Sequence, residues 1–382
     1  GGVIDDTELA HSYRLGIEGG KEAARAIGWN REEWETVAGI GGLGAGLPEN
    51  RPGCGSRTQD PGMGARLAAR FGNTGLTARR IEVPESTDAV TLCAERGWTD
   101  GLPVVPPTEV RVLEMLNGTT RLPGAVVGRV PPDLMECTVE KAAINAVMAG
   151  CKPEYFPVVL AAIEAALEPD FGLHGVIATT NAVAPVVMVN GPMGRAIGMN
   201  AKGNALGQGN QANASIGRAM QLIIRNVGGG RPGEIDRAVF GNPGKYTFCF
   251  AEDEEDSRWE SFVVERGFTP DTSTVTLFPG DGVAPIIDHV SRTPDDLARS
   301  FAGCIRAVYH PGQVVDCSVF LVVGPEHADV FHAAGWSKAR LKEALLALTR
   351  VPVREIVPGR CGLGALNAEE TADPEGTASK FH

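Results

Sequence analysis

VVMVNGPMGRAIGMNAKGNALGQGNQANASIGRAMQLIIRN, residues 186–226, sets the fold class of this chain. It opens on an apolar β-type run ending at Asn190-Gly191-Pro192, and glycines follow at 194, 198, 203, 207 and 209. Such a run reads as a strand opening into a loop whose backbone can approach a ligand closely. Asn213 or Ser215 is then placed to cap a helix carrying Ile216, Met220, Ile223 and Ile224 on one face, with Arg218 in its first turn. Free N–H groups, a helix dipole and an arginine together suit an anion. Asn190, Asn210, Asn213, Ser215 and Arg218 are therefore candidate substrate-binding residues. The glycine spacing fits neither the phosphate-cradling GxxxxGK[ST] loop nor the dinucleotide GxGxxG turn, and segments that merely pack closely use glycine in the same way.

Upstream, residues 138–167 carry the clearest helical signal. Thr138 can cap TVEKAAINAVMAG, Gly150 ends it, and Pro153 starts PEYFPVVLAAIEAAL, a helical hairpin around Cys151. Both helices are nearly all apolar, so Glu140, Lys141, Asn145 and Glu164 are polar groups on buried elements that need partners. Glu140 and Lys141 are candidate proton carriers. Cys151 is the candidate nucleophile, because a helix N-terminus and Lys152 beside it would favour the thiolate. Asp100 lies on the Asp-Gly turn of TDGLPVVPPT, and Thr108 caps the short helix that follows.

Further along, 81–84 and 353–357 read as short strands, 246–250 and 275–280 as longer ones, and Ser337 caps a last helix. The acidic run AEDEED, 251–256, reads as a solvated loop. Residues 319–327, VFLVVGPEH, repeat the strand-Gly-Pro pattern of 186–192, which suggests a weak duplication with Asn190 and Glu326/His327 at equivalent strand ends. Together these elements predict an α/β fold, a mixed sheet flanked by helices. The expected organisation is an N-terminal helix and glycine-rich arm over 1–80, a main domain over 81–366, and a small acidic, peripheral tail over 367–382.

The totals narrow the partners. A net charge of −12 with no basic tract argues against nucleic acid and anionic membrane. Neither a transmembrane-length apolar run nor a signal-peptide pattern is present, so the expectation is a cytoplasmic protein. The eight cysteines form no CxxC, which argues against a disulfide framework or a zinc ribbon.

Four segments carry a likeness to a known family: TDGLPVVPPT (99–108), TVEKAAINAVMAGCKPEYFPVVLAAIEA (138–165), GNQANASIGRAMQLIIRNVGG (209–229) and GWSK (335–338). Over roughly two thirds of its length, from Gly97 to Pro352, the chain resembles the large domain of the UGSC-motif (seleno)protein family. The resemblance implies redox or thiol chemistry. That family's (seleno)cysteine-Gly-Ser-Cys motif has its nearest match in Cys54-Gly55-Ser56-Arg57, which lacks the second cysteine. The expected function is a small-molecule enzyme acting on a carboxylate- or phosphate-bearing substrate through cysteine, as a homo-oligomer or with a separate redox partner. A second reading is a metal-dependent lyase or hydratase, with His174, His327, His310, Glu140 and Asp100 as candidate ligands of a divalent metal. A third is a non-catalytic subunit of a redox enzyme.

Overall fold

The residues of the apolar run 184–190 are all buried, and they form the central strand of the sheet. In the computed structural model the described residues are Ala69, 74–308, 317–356, Leu366, 368–379 and Phe381, all within the unit Gly62–His382. The expected first helix, most of the arm with Cys54, and His310 lie outside them.

Chain order is α1 (Ala89–Glu95), α2 (Glu109–Leu116), the antiparallel pair β1 (Val126–Val130) and β2 (Met135–Thr138), then α3 (Val139–Ala149) and α4 (Phe156–Leu167). A short α5 (Leu173–Ala178) leads to β3 (Ala184–Asn190), α6 (Pro192–Ala196) and α7 (Gln211–Asn226). There follow β4 (Cys249–Ala251), α8 (Phe262–Glu265) and β5 (Thr274–Gly280). The C-terminal part holds α9 (Pro294–Val308), α10 (Pro325–Ala333), α11 (Lys338–Leu348), β6 (Val351–Pro352), α12 (Ala368–Ala372) and β7 (Thr377–Ala378).

The fold is α/β with a mixed sheet, as expected. β3 lies between β4, parallel to it, and β5, antiparallel to it. Side chains of a strand alternate between faces, so β3 serves two cores. Val187 and Val189 join Cys249 in the large core built by α3, α4 and α7. Val186, Met188 and Phe250 face the other way, into a cluster with Phe262, Phe278 and Phe320. A further core joins α9, α10 and α11 through Leu297, Phe301, Phe331, Leu341 and Leu345.

Several expected strands are absent because alternation reports burial and not pairing. Residues 81–84 form no strand; Ile81 and Val83 are exposed, and Thr87 N–H closes a turn onto Pro84 O at 2.9 Å. Residues 319–323 alternate between two clusters, Phe320 stacking on Phe278 at 5.3 Å while Val319, Leu321 and Val323 pack against the helical core, but they join no ladder. The proposed equivalence of Asn190 with Glu326/His327 therefore fails at the strand. Its local half survives, since Gly191-Pro192 and Gly324-Pro325 each open a helix. Residues 353–355 are a single 3-10 turn after the two-residue β6, where the start of a strand was expected, and Val357 lies outside the described residues. The tail is not peripheral: Ala378 pairs with Val351 and is fully buried, and Phe381 enters the α9–α11 core.

Candidate functional site

α3 ends where Gly150 adopts a left-handed φ of 86°, its N–H donating to Val147 O at 2.9 Å while Cys151 N–H reaches Ala146 O at 3.0 Å. The chain then turns through Pro153 into a single 3-10 turn before α4. α2 crosses this turn closely: a side chain at Gly118 would lie 2.0 Å from Pro153 O. Between α2 and the turn lies a cavity of about 210 Å³. Val105, Met115, Val147 and Pro153 give it apolar walls, and Arg111, Glu114 and Cys151 give it polar chemistry.

The strap 99–108 covers one side of this cavity. Val105 N–H bonds Met148 O at 3.1 Å, fixing the strap to α3. Its start is held by Arg218, whose Nε and Nη2 each lie 2.8 Å from an Asp100 oxygen, with Nη2 also donating to Leu102 O and Pro103 O. Burial alone would raise the Asp100 carboxyl, but the hydrogen bonds and charge of Arg218 outweigh it and hold it below the usual carboxylate range. Arg218 is thus in the middle of α7 and committed to the strap; it is neither in the first turn nor open to a substrate anion.

The other sequence candidates divide in the same way. Asn210, not Asn213 or Ser215, caps α7, accepting from Asn213 N–H at 3.0 Å and donating to Gly198 O at 2.8 Å. Asn213 is 3% exposed and sews the glycine loop together, accepting from Asn200 N–H and donating to Asn200 O and Ala205 O. The Asn190 amide donates to Glu252 at 2.5 Å and Glu254 at 3.2 Å, while its Oδ1 is buried without a partner among the described residues. Gly191 must be glycine: its φ is 86°, and a Cβ there would stand 2.3 Å from Thr272 O. The acidic run is not simply solvated, because Glu254 also accepts from Gly191 N–H and Glu252 from Phe262 N–H.

Glu140 is 2% exposed and accepts from Thr77 N–H, Thr77 Oγ1 and Ala78 N–H at 2.9–3.1 Å. It anchors the segment entering the domain. Lys141 Nζ donates to Glu136 O at 2.6 Å. Neither residue lines the cavity, and both are engaged in holding local structure. Asn145 bridges α3 to α7 through Asn226 at 2.9 Å, and Glu164 pairs with Arg121 at 2.5 Å.

Cys151 does reach the cavity, and Ser215 stands beside it with its Oγ donating to Gln211 O at 2.7 Å. Its acidity is opposite to the expectation. Burial pushes the thiol up to about 12, and the Ser215 hydrogen bond offsets only part of this. Lys152 is exposed above the Tyr155 ring, 5.9 Å away, and the element it precedes is one turn long, so neither lowers the thiol enough. Burial, then the neighbouring Cys151, also push Cys249 up.

The metal candidates do not assemble. His174 is exposed on α5, and His327 sits on the Phe301 ring, 5.5 Å between centroids, with Nε2 3.0 Å from Asp288 O. Among the described residues no three His, Cys, Asp or Glu side chains gather closely enough to hold a metal ion. Likewise, among them no helix is long and apolar enough to cross a membrane. No protein-family model, curated protein or solved structure matches the chain.

Sequence reasoning missed Arg111 and Glu114. The only signal was their spacing with Met115, which puts all three on one stripe of a short helix. Which neighbour that stripe meets is not written locally.

Proposed function

We propose that this chain is a small-molecule enzyme whose substrate, bearing a carboxylate or phosphate, enters the cavity between α2 and the Gly150–Pro153 turn. The carrying observation is that Arg111, Glu114 and Cys151 line one small cavity whose other walls are apolar side chains. Apolar walls with a few converging polar groups are the usual character of a ligand site. Arg111 supplies the anion contact, one Nη1 proton being held by Pro106 O at 3.1 Å and the rest of the guanidinium remaining for substrate.

Cys151 carries the thiol chemistry as a protonated group in the resting protein. A thiolate forms there only when bound substrate takes the proton or brings positive charge beside the sulfur. The likeness to UGSC-motif proteins supports the same class of chemistry. Cys54 lies outside the described residues, so the proposal rests on Cys151.

Alkylation tests it. Iodoacetamide at pH 8 should modify Cys151 slowly, the thiolate fraction being on the order of 10⁻⁴ for a thiol near 12. Small carboxylates or phosphates that occupy the cavity should change that rate, and Arg111→Gln should abolish their effect. Rapid modification that no such compound alters would sink the reading.

A further inference from the structure

We infer that the cavity takes a small zwitterion, an anionic group and an ammonium carried on one short aliphatic frame. The inference rests on the reading of this cavity as the substrate site and names the class of molecule that fills it. It begins from a pair of charges that ought to meet and do not. Arg111 and Glu114 are three residues apart on α2, a spacing that brings opposite charges together on a helix surface. Arg340 and Glu343 on α11 have the same order and spacing and close to 2.9 Å. Arg299 and Asp296 on α9 close to 3.0 Å.

Arg111 instead turns to Pro106 O, and the half-buried carboxylate of Glu114 has no side-chain partner among the described residues. A carboxylate that has no donor of its own can accept charge-assisted hydrogen bonds from a bound cation. The two charges line one cavity with Val105, Met115 and Val147 as its apolar wall. A molecule with its own anion and cation can engage Arg111 and Glu114 at once, its hydrocarbon portion on the apolar wall and Cys151 within reach. A cavity of about 210 Å³ suits a molecule of a few carbons; nucleotides and peptides need more room. The ammonium also links to the thiol, since a positive charge brought beside Cys151 favours its ionisation.

Three probes of matched shape separate the contributions: 2-aminobutyrate, butyrate and propylamine, titrated into the full chain with binding followed by saturation-transfer NMR. The zwitterion should bind at least about ten-fold more tightly than either singly charged probe, a difference of about 1.4 kcal/mol. Glu114→Gln should erase the preference over butyrate, and Arg111→Gln should erase the preference over propylamine. Melts of both variants check that they fold. Butyrate binding as well as 2-aminobutyrate, with Glu114→Gln silent, overturns the zwitterion and leaves the anion site standing. Propylamine binding as well as 2-aminobutyrate overturns both the zwitterion and the role given to Arg111. If none of the three binds, the inference and the reading of this cavity as a carboxylate site fall together.

Discussion

Two polar regions of this molecule look equally functional as sets of residues and differ in what their groups are doing. In the glycine loop and the strap, Asn210 and Asn213 are bonded to the loop's backbone, and Arg218 to Asp100 and the strap's carbonyls. Around the cavity, Arg111 retains donors and Glu114 has no side-chain partner among the described residues. Buried polar groups with full partnership specify a fold, whereas groups left over in a concave place await a ligand. The contrast makes one demand: substitutions in the first region should cost stability, and those in the second should cost binding.

The largest effect belongs to the strap. Arg218→Met leaves Asp100 buried and unpaired and should lower stability by about 3–5 kcal/mol in urea unfolding. Asp100→Asn combined with Arg218→Met should recover much of that loss. A single-variant loss below about 1 kcal/mol would return Arg218 to the set of free anion binders.

Glu140→Gln should cost about 2–3 kcal/mol, because its new amide N–H₂ opposes the donors of Thr77 and Ala78. Unchanged stability with lost turnover would instead make Glu140 a proton carrier and break the comparison.

Acid sharpens it further. Asp100 is held below its ordinary value near 3.8, so its pairing stabilises the fold above that pH. The contribution fades as pH falls through 3.8 and is gone below the folded-state value. Thermal melts should therefore show the stability difference between wild type and the Asp100→Asn/Arg218→Met double variant changing only below about pH 4. A change centred near pH 7 would assign it to another group. The smallest effect is Glu114→Gln, expected to move stability by no more than about 0.5 kcal/mol while altering ligand preference.

Much of the scaffold is legible in the residues themselves. Thr138, Gly150 and Pro153 delimit the helical hairpin, and Ser337 caps α11, because caps and stops act through bonds a few residues away. The same local signals put Cys151 correctly beside a turn and mislead about its acidity. Burial by distant segments, not the adjacent Lys152, controls that thiol.

The amino-acid order alone carries the succession of helices and strands around the hairpin and β3, the burial of 184–190 on both faces, and the need for a flexible backbone after Asn190. Periodicity and capping are local, and a chain carries them wherever it goes. Which polar groups are satisfied is settled by tertiary packing. Arg218 meets Asp100 across 118 residues, Asn190 meets Glu252 across 62, and Glu140 meets Thr77 across 63, whereas Glu114 makes no side-chain hydrogen bond or ion pair among the described residues. Partnership at such separations depends on how packed elements cross. Residue type therefore does not distinguish the polar groups that hold the fold from those left facing the cavity.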